Sequence, residues 1–115
     1  MDVYTLKTCD TCRKALKFLE ANNIANNNFD IRKNGISRDT IQSAISALGW
    51  EAILNRRSTS WRQLDDATKE NINAEKAADL ICENPTLMKR PLFISNDTYI
   101  VGFDKKAQEL LTTNN

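Results

Sequence analysis

Two cysteines three positions apart, Cys9 and Cys12, are the side chains of this sequence best suited to chemistry. They lie in the segment Cys9-Asp10-Thr11-Cys12, after a β-branched, aromatic stretch and at the head of a run with helical periodicity. A cysteine at a helix start receives unpaired backbone N–H groups and the positive end of the helix dipole, and both favour the thiolate. A second cysteine one turn later can attack a mixed disulfide formed at the first. The spacing therefore indicates a redox pair in which Cys9 is the nucleophile and Cys12 the resolving thiol.

Two other uses of such a pair remain open, namely metal binding and simple packing. A structural zinc site needs four ligands, usually cysteine and histidine, and this chain has no histidine and one further cysteine, Cys82. We therefore expect no metal site. Cys82 stands beside Ile81 in a helical segment, and we expect it to be a small buried side chain.

The elements that must position the pair follow from hydrophobic periodicity. A strand is predicted at residues 3–6, a loop in the asparagine-rich stretch 22–28 and a second strand at 29–31. Between the two strands the apolar residues are spaced as the buried stripe of a helix: Cys12, Ala15, Leu16 and Leu19. The first part of the chain thus reads as β-α-β.

The middle of the chain, about residues 37–84, has helical patterning throughout. Ser37 is a predicted N-cap for a helix that ends at Gly49, and residues 50–54 add a short helical turn. Asp65 and Asn73 are predicted caps of two further helices. In the helix that begins after Ser37, the apolar stripe consists of Ile41, Ala44, Ile45 and Leu48.

The last part of the chain returns to strand patterning. Residues 92–94 and 99–101 flank a turn with Asn96-Asp97 at its tip, which predicts an antiparallel hairpin. Asp104 then caps a predicted last helix that carries Ala107, Leu110 and Leu111. The sequence therefore predicts β-α-β, a helical middle, then β-β-α.

Length and charge restrict the class of protein. A chain of 115 residues fits one domain, residues 1–115. Its net charge of +1 is too small to attract nucleic acid or an anionic membrane. Its apolar runs are far shorter than the roughly 20 residues that span a bilayer. The first residues show no signal-peptide pattern and the cysteine count is odd, so we expect a cytoplasmic protein. We expect no membrane partner and no direct contact with nucleic acid.

Several segments in order resemble the arsenate reductase-related family, which includes glutaredoxin-coupled arsenate reductases, Spx-type regulators and small YffB-type thiol reductases. The stretch 48–55 and Trp61-Arg62 are most similar to the YffB branch. The resemblance implies an α/β, thioredoxin-like fold, with a mixed four-stranded sheet and a helical insertion at about 37–84. The residues that carry it are Tyr4, Cys9, Cys12-Arg13-Lys14-Ala15, Gly49-Trp50, Leu54-Asn55-Arg56-Arg57, Trp61-Arg62-Gln63-Leu64, Lys89-Arg90-Pro91-Leu92 and Val101-Gly102-Phe103.

The resemblance also implies roles for individual residues. Cys9 matches the catalytic cysteine, and Arg57 and Arg90 match arginines that bind an oxyanion substrate or a thiol partner. Arginine can hold a carboxylate or oxyanion bidentately, and near Cys9 it would favour the thiolate. In similar proteins the proline at position 91 is cis and faces the cysteine loop. Arg13, close to Cys9 in sequence, is a further candidate substrate-binding residue.

These features predict a thiol–disulfide reductase that uses glutathione as co-substrate, holds no bound cofactor and works as a monomer. Its substrate would be a small thiol, disulfide or oxyanion. A redox-sensing regulator of the Spx type, which binds RNA polymerase, is the alternative, and arsenate reduction is a third possibility. Arsenate reductases that resemble this chain carry a histidine near the position of Thr5 and usually lack a cysteine at position 12, and this sequence differs in both respects.

Overall fold

In the computed structural model, which describes residues 1–113, the chain forms two compact units. The first contains Met1–Gly35 together with the chain from Arg90 onward, and the second contains Ile36–Lys89. The second unit includes the whole of the insertion predicted at about residues 37–84. The single-domain organisation of residues 1–115 remains a prediction.

A mixed four-stranded sheet forms the centre of the first unit, and its strands are β1 (Asp2–Thr5), β2 (Asn27–Asp30), β3 (Leu92–Ser95) and β4 (Thr98–Val101). The strand order is β2-β1-β3-β4. Strands β1 and β2 are parallel, whereas β1 pairs with β3, and β3 with β4, in antiparallel fashion. Asn96 adopts a positive φ of 54° in the two-residue turn between β3 and β4, as a tight hairpin requires. The predicted element order and the predicted hairpin are confirmed.

Two helices cover this sheet, α1 (Asp10–Ala21) and α7 (Lys105–Thr113). The predicted stripe of α1 is buried at Cys12, Ala15 and Leu19, and its fourth member, Leu16, is partly buried against the same core. Full burial of a side chain such as Leu19 stabilises the fold by roughly 1.5–3 kcal/mol. Core packing on one side of α1 therefore holds in place the first turn of the helix, which carries Cys12.

Strand β2 differs from its prediction, because it begins at Asn27 and ends before Ile31. Asn28, expected in a loop, accepts a hydrogen bond of 2.6 Å from the hydroxyl of Thr5 on β1, and Asn27 donates one of 3.1 Å to Asp2. These side-chain bonds between neighbouring strands suit asparagine to an edge strand. Composition alone indicated a loop, since asparagine is depleted in strands generally.

The second unit is helical, and its predicted caps are confirmed. Ser37, Asp65 and Asn73 each accept a hydrogen bond from the backbone N–H three residues later. One short helix, which begins after Ser58, was not predicted. The unit contains α2 (Arg38–Leu48), α3 (Trp50–Ile53), α4 (Thr59–Arg62), α5 (Asp66–Glu70), α6 (Ala74–Glu83) and a 3₁₀ turn (Pro85–Leu87). Within residues 1–113, every helix is too short or too polar to cross a membrane.

The burial prediction for Cys82 is wrong. Cys82 is exposed, because it lies at the edge of the buried stripe of α6, where Arg38 of α2 places a guanidinium nitrogen 3.8 Å from the sulfur. That guanidinium also forms a 2.5 Å ion pair with Asp79, so the neighbourhood is polar. On the last helix, Leu110 is 38% exposed, whereas Ala107 and Leu111 are buried.

Candidate active site

Cys9 is the N-cap of α1. Its backbone is extended, with φ −91° and ψ 115°, and its sulfur accepts a hydrogen bond from the backbone N–H of Cys12 at 3.4 Å. Serine or aspartate commonly performs this role at a helix start. The Cys9 carbonyl accepts the N–H of Arg13 at 3.1 Å, and its own N–H donates to Leu6 at 2.9 Å. The sulfur is therefore held over the unpaired N–H groups of the first helical turn.

This environment lowers the pKa of Cys9 below its ordinary value of 9.0. Partial burial is the largest single influence and opposes ionisation, but it is outweighed. The opposing contributions are hydrogen bonds from the Cys12 thiol and the Cys12 backbone, the positive charge of Arg90, and the N–H of Thr11. Because Cys9 is only partly buried, a substrate in solution can reach its thiolate.

Cys12 has the opposite character. It is 1% exposed, and burial, followed by its hydrogen bond to Cys9, raises its pKa to about 12. The negative charge of Cys9 contributes to the same rise, whereas the Leu6 backbone and Arg90 oppose it. One member of the pair is thus prepared as a thiolate while the other keeps its proton and donates it to the first.

Arg90 and Pro91 come directly before β3. Arg90 is half-buried, and its charge acts on both cysteines. The Arg90–Pro91 peptide bond is cis, as the resemblance implied, and the Pro91 carbonyl accepts the N–H of Gly102 at 2.9 Å. The geometry thus brings together Cys9, Cys12 and Arg90, while a substrate-binding role for Arg90 and Pro91 remains a prediction.

The two other predicted arginines have different surroundings. Arg13 is exposed on α1 and forms an ion pair with Asp10, one turn earlier on the same helix. Arg57 belongs to the second unit, where its side chain lines a cavity of about 350 Å³ with Leu54, Arg56 and Lys89. Three of these four residues are cationic, which suits an anion. The substrate-binding roles of Arg13 and Arg57 remain predictions.

Asp30, at the end of β2, was not predicted to contribute to the site. One of its carboxylate oxygens accepts the backbone N–H of Lys7 at 3.0 Å, in the loop that leads to Cys9. The other accepts the N–H groups of Arg32 at 2.8 Å and Lys33 at 3.1 Å. These hydrogen bonds, chiefly that from Lys33, lower the pKa of Asp30 below 3.8. An aspartate that bonds the backbone two residues on is a turn signal, and it could have located this carboxylate.

Taken together, these groups can perform nucleophilic sulfur chemistry. A thiolate with a lowered pKa attacks sulfur or another soft electrophile, and a neighbouring thiol can then attack the covalent product. Within residues 1–113, no three cysteine, aspartate or glutamate side chains are grouped closely enough to hold a metal ion.

Comparisons with known proteins agree with this architecture. The sequence profile of the ArsC family matches residues 4–110. A relative from Haemophilus influenzae is 38% identical over 107 residues, which cover 93% of this chain and 94% of the relative. The global transcriptional regulator Spx of Streptococcus mutans is 29% identical over 100 residues, which cover 85% of this chain and 72% of Spx.

Solved structures show the same likeness. The YffB protein superposes with a TM-score of 0.90 at 32% identity, covering 96% of this chain and 97% of that chain. An arsenate reductase (ArsC) related protein from Brucella melitensis has a TM-score of 0.77 at 31% identity, covering 94% of this chain and 90% of the other. The predicted α/β, thioredoxin-like fold and the predicted family resemblance are confirmed. Because the family profile and these relatives match the chain almost from end to end, this protein belongs to the ArsC family.

Proposed function

We propose that this protein is a cytoplasmic thiol–disulfide reductase that works as a monomer with glutathione as its co-substrate. Cys9 is the nucleophile, Cys12 the resolving thiol, and Arg90 the cation that favours the Cys9 thiolate. The observation that carries the proposal is the opposite tuning of two neighbouring thiols, one with a lowered pKa and one with its pKa raised to about 12. Burial alone would raise the pKa of Cys12, but simple packing would not lower the pKa of Cys9 beside it.

The reaction begins when the Cys9 thiolate attacks a substrate disulfide. A Cys9–substrate disulfide forms, and the other half of the substrate leaves as a thiolate that takes up a proton. Cys12 then loses its proton and attacks the Cys9 sulfur, which releases the second half of the substrate. Two glutathione thiols reduce the resulting Cys9–Cys12 disulfide and become oxidised glutathione. One disulfide and two glutathione molecules thus yield two thiols and one oxidised glutathione.

The coupling between the two thiols supports this order of steps. Part of the rise in the Cys12 pKa comes from the negative charge of Cys9. That charge disappears when Cys9 enters a mixed disulfide, so Cys12 becomes easier to ionise at the moment when its attack is needed. Arg90 and the cis Pro91 beside it, Arg13, and Arg57 in the second unit are candidates to bind the carboxylates or oxyanion of the substrate.

Turnover of a small disulfide with glutathione tests the proposal. We expect the wild type to be active, Cys9→Ser to fall to the uncatalysed rate, and Cys12→Ser to accumulate a mixed disulfide visible by mass spectrometry. Cys82→Ser is the matched control, since it removes an exposed thiol outside the pair. Equal turnover by the wild type and Cys9→Ser would refute the proposal.

A second candidate function is redox-dependent binding to RNA polymerase. The observation that favours it is the 29% sequence identity to an Spx regulator, in an alignment that covers 85% of this chain. It requires that affinity for a polymerase subunit changes when Cys9 and Cys12 form a disulfide. A pull-down with oxidised and reduced protein, in which polymerase is absent from both, would eliminate this function.

Arsenate reduction is a variant of the enzyme proposal, and the relation to the arsenate reductase related protein of Brucella melitensis favours it. The chain has no histidine, unlike the arsenate reductases that it resembles. A deletion strain that grows on arsenate as well as its parent would argue against this activity.

A further inference from the structure

A cavity of about 410 Å³ lies in the first unit beside the start of α1. It opens where the parallel strands β1 and β2 end, the edge at which α/β sheets commonly bind ligands. Its volume falls in the range of roughly 300–1,000 Å³ that is typical of small-molecule sites. Its wall consists of Thr5, Leu6, Lys7, Cys12, Arg13, Leu16, Asn28, Asp30 and Lys33.

The charged groups of this cavity favour an anion. Lys7, Arg13 and Lys33 supply three positive charges, and Asp10 neutralises that of Arg13. In the part of the chain that the structure describes, neither the Lys7 nor the Lys33 ammonium group forms an ion pair. The one carboxylate in the wall, Asp30, directs its oxygens to three backbone N–H groups. Two ammonium groups are therefore available to a ligand.

The remaining wall is suited to a short apolar stem. Leu6 and Leu16 are apolar, and Cys12, whose side chain is buried, also belongs to the wall. The cavity thus combines two cationic groups with an apolar surface that includes the resolving cysteine. A ligand of matching chemistry has two separated carboxylates and a sulfur-bearing apolar centre.

We propose that this cavity binds a small peptide thiol of the glutathione class, with Lys7 and Lys33 holding its two carboxylates. The proposal rests on the proposed reductase function only in its choice of ligand, and it adds binding without a further chemical step. It places the co-substrate on the Cys12 side of the pair, at the ends of β1 and β2.

Direct binding of S-methylglutathione, which has no reactive thiol, tests the site without turnover. We expect the backbone amide NMR signals of Lys7, Asn28 and Lys33 to shift on titration. Lys33→Ala should weaken binding about three- to tenfold, and Lys7→Ala/Lys33→Ala about ten- to a hundredfold, since each removes a hydrogen bond to a charged group. S-methylglutathione dimethyl ester, which lacks the carboxylates, should bind the wild type as weakly as the acid binds the double variant.

The matched control is Lys17→Ala/Lys105→Ala, which removes the same charge from exposed positions outside the cavity wall. It should bind like the wild type. Absence of saturable binding to the wild type, shifts confined to other residues, or equal affinity in the Lys7/Lys33 double variant would each overturn the proposal. A circular dichroism spectrum and an unfolding curve for every variant show that it is folded.

Steady-state turnover separates this proposal from the one on which it rests. If the wild type reduces disulfides and the Lys7→Ala/Lys33→Ala variant has an unchanged KM for glutathione, the cavity assignment fails and the reductase function stands. If Cys9→Ser is as active as the wild type, the reductase function fails, and the binding titration still decides the cavity.

Discussion

At the scale of single residues, Arg90 is the charged side chain that favours the Cys9 thiolate from beyond the helix start. The other stabilising groups are hydrogen-bond donors on Cys12 and Thr11, in the first turn of α1. Helix geometry supplies these donors to any residue at the cap, whereas the guanidinium is supplied by a distant part of the sequence. Substitution of Arg90 therefore separates the two contributions.

Arg90→Gln should raise the pKa of Cys9 and slow its alkylation at neutral pH several-fold, because the charge is lost while the cap hydrogen bonds stay. The pH dependence of iodoacetamide reaction, or of thiolate absorbance, measures this. Arg13→Gln is the control, since that arginine is paired with Asp10. A Cys9 titration curve that is the same in Arg90→Gln and the wild type would contradict the assignment.

The raised pKa of Cys12 predicts that the folded protein becomes less stable at alkaline pH. Its pKa is about 12 in the folded protein and 9.0 ordinarily, so between these values the unfolded chain loses this proton and the folded chain retains it. The stabilisation is complete below pH 9.0 and is lost as the pH rises toward about 12. The free energy of unfolding should therefore fall less steeply with pH above 9.0 in Cys12→Ala than in the wild type.

Urea unfolding of reduced protein at a series of pH values measures these slopes. Cys82→Ala, which removes an exposed thiol, should keep the wild-type slope. Parallel slopes for Cys12→Ala and the wild type would contradict the raised pKa of Cys12, because they would mean that this thiol loses its proton over the same pH range in the folded and the unfolded chain.

Sequence could identify the cysteine pair because its spacing and its place before a helical stripe are local properties. The surroundings of Asp30 and Cys82 depend on contacts with distant residues, Lys7 and Arg38. For Asp30 the sequence predicts only a strand, and for Cys82 it predicts burial, because cysteine is commonly buried. Neither contact leaves a periodic trace in the sequence.

At the scale of elements, caps were more predictable than strand ends. A serine, aspartate or asparagine just before apolar residues with helical spacing indicates where a helix begins. The three predicted caps, Ser37, Asp65 and Asn73, all stand at helix starts. The start of β2 depends on its pairing with β1, in which Asp2 faces Asn27. Polar residues that are stabilised by a neighbouring strand resemble a loop until that neighbour is known.

Ser37→Ala tests the importance of a cap for the second unit. The hydroxyl accepts the N–H of Thr40 at 3.1 Å, and its loss should lower the free energy of unfolding by about 1 kcal/mol. Ser43→Ala, on the exposed face of the same helix, should be neutral or slightly stabilising. Equal destabilisation by the two substitutions, in chemical denaturation, would show that the cap is unimportant.

At the scale of the whole molecule, an insertion separates the segments that build the site. Cys9 and Cys12 precede residues 36–89, and Arg90 follows them directly, yet all three act together in the first unit. The family resemblance supplied this arrangement, because local patterning gives the order of elements but not which strands pair across an insertion. The strand order β2-β1-β3-β4 is such a long-range property.

The redox state of the pair should change the stability of the whole protein. The reduced, folded form gains from a thiolate over the helix N-terminus, and a Cys9–Cys12 disulfide removes that charge. The reduced wild type should therefore unfold at a higher urea concentration than the oxidised form at neutral pH. Cys9→Ser/Cys12→Ser, which cannot form this disulfide, should have the same midpoint with and without reductant. A more stable oxidised form would contradict the thiolate assignment.

The place of one sulfur at the beginning of α1 has a consequence for electron flow. Folding and reduction are linked in a closed cycle, so whatever stabilises the folded dithiol raises the reduction potential of the disulfide by an equivalent amount. A helix that begins on Cys9 thus makes the oxidised pair a readier electron acceptor than the same cysteines in an unfolded peptide. The pool of small thiols around the protein would then keep the pair reduced between encounters.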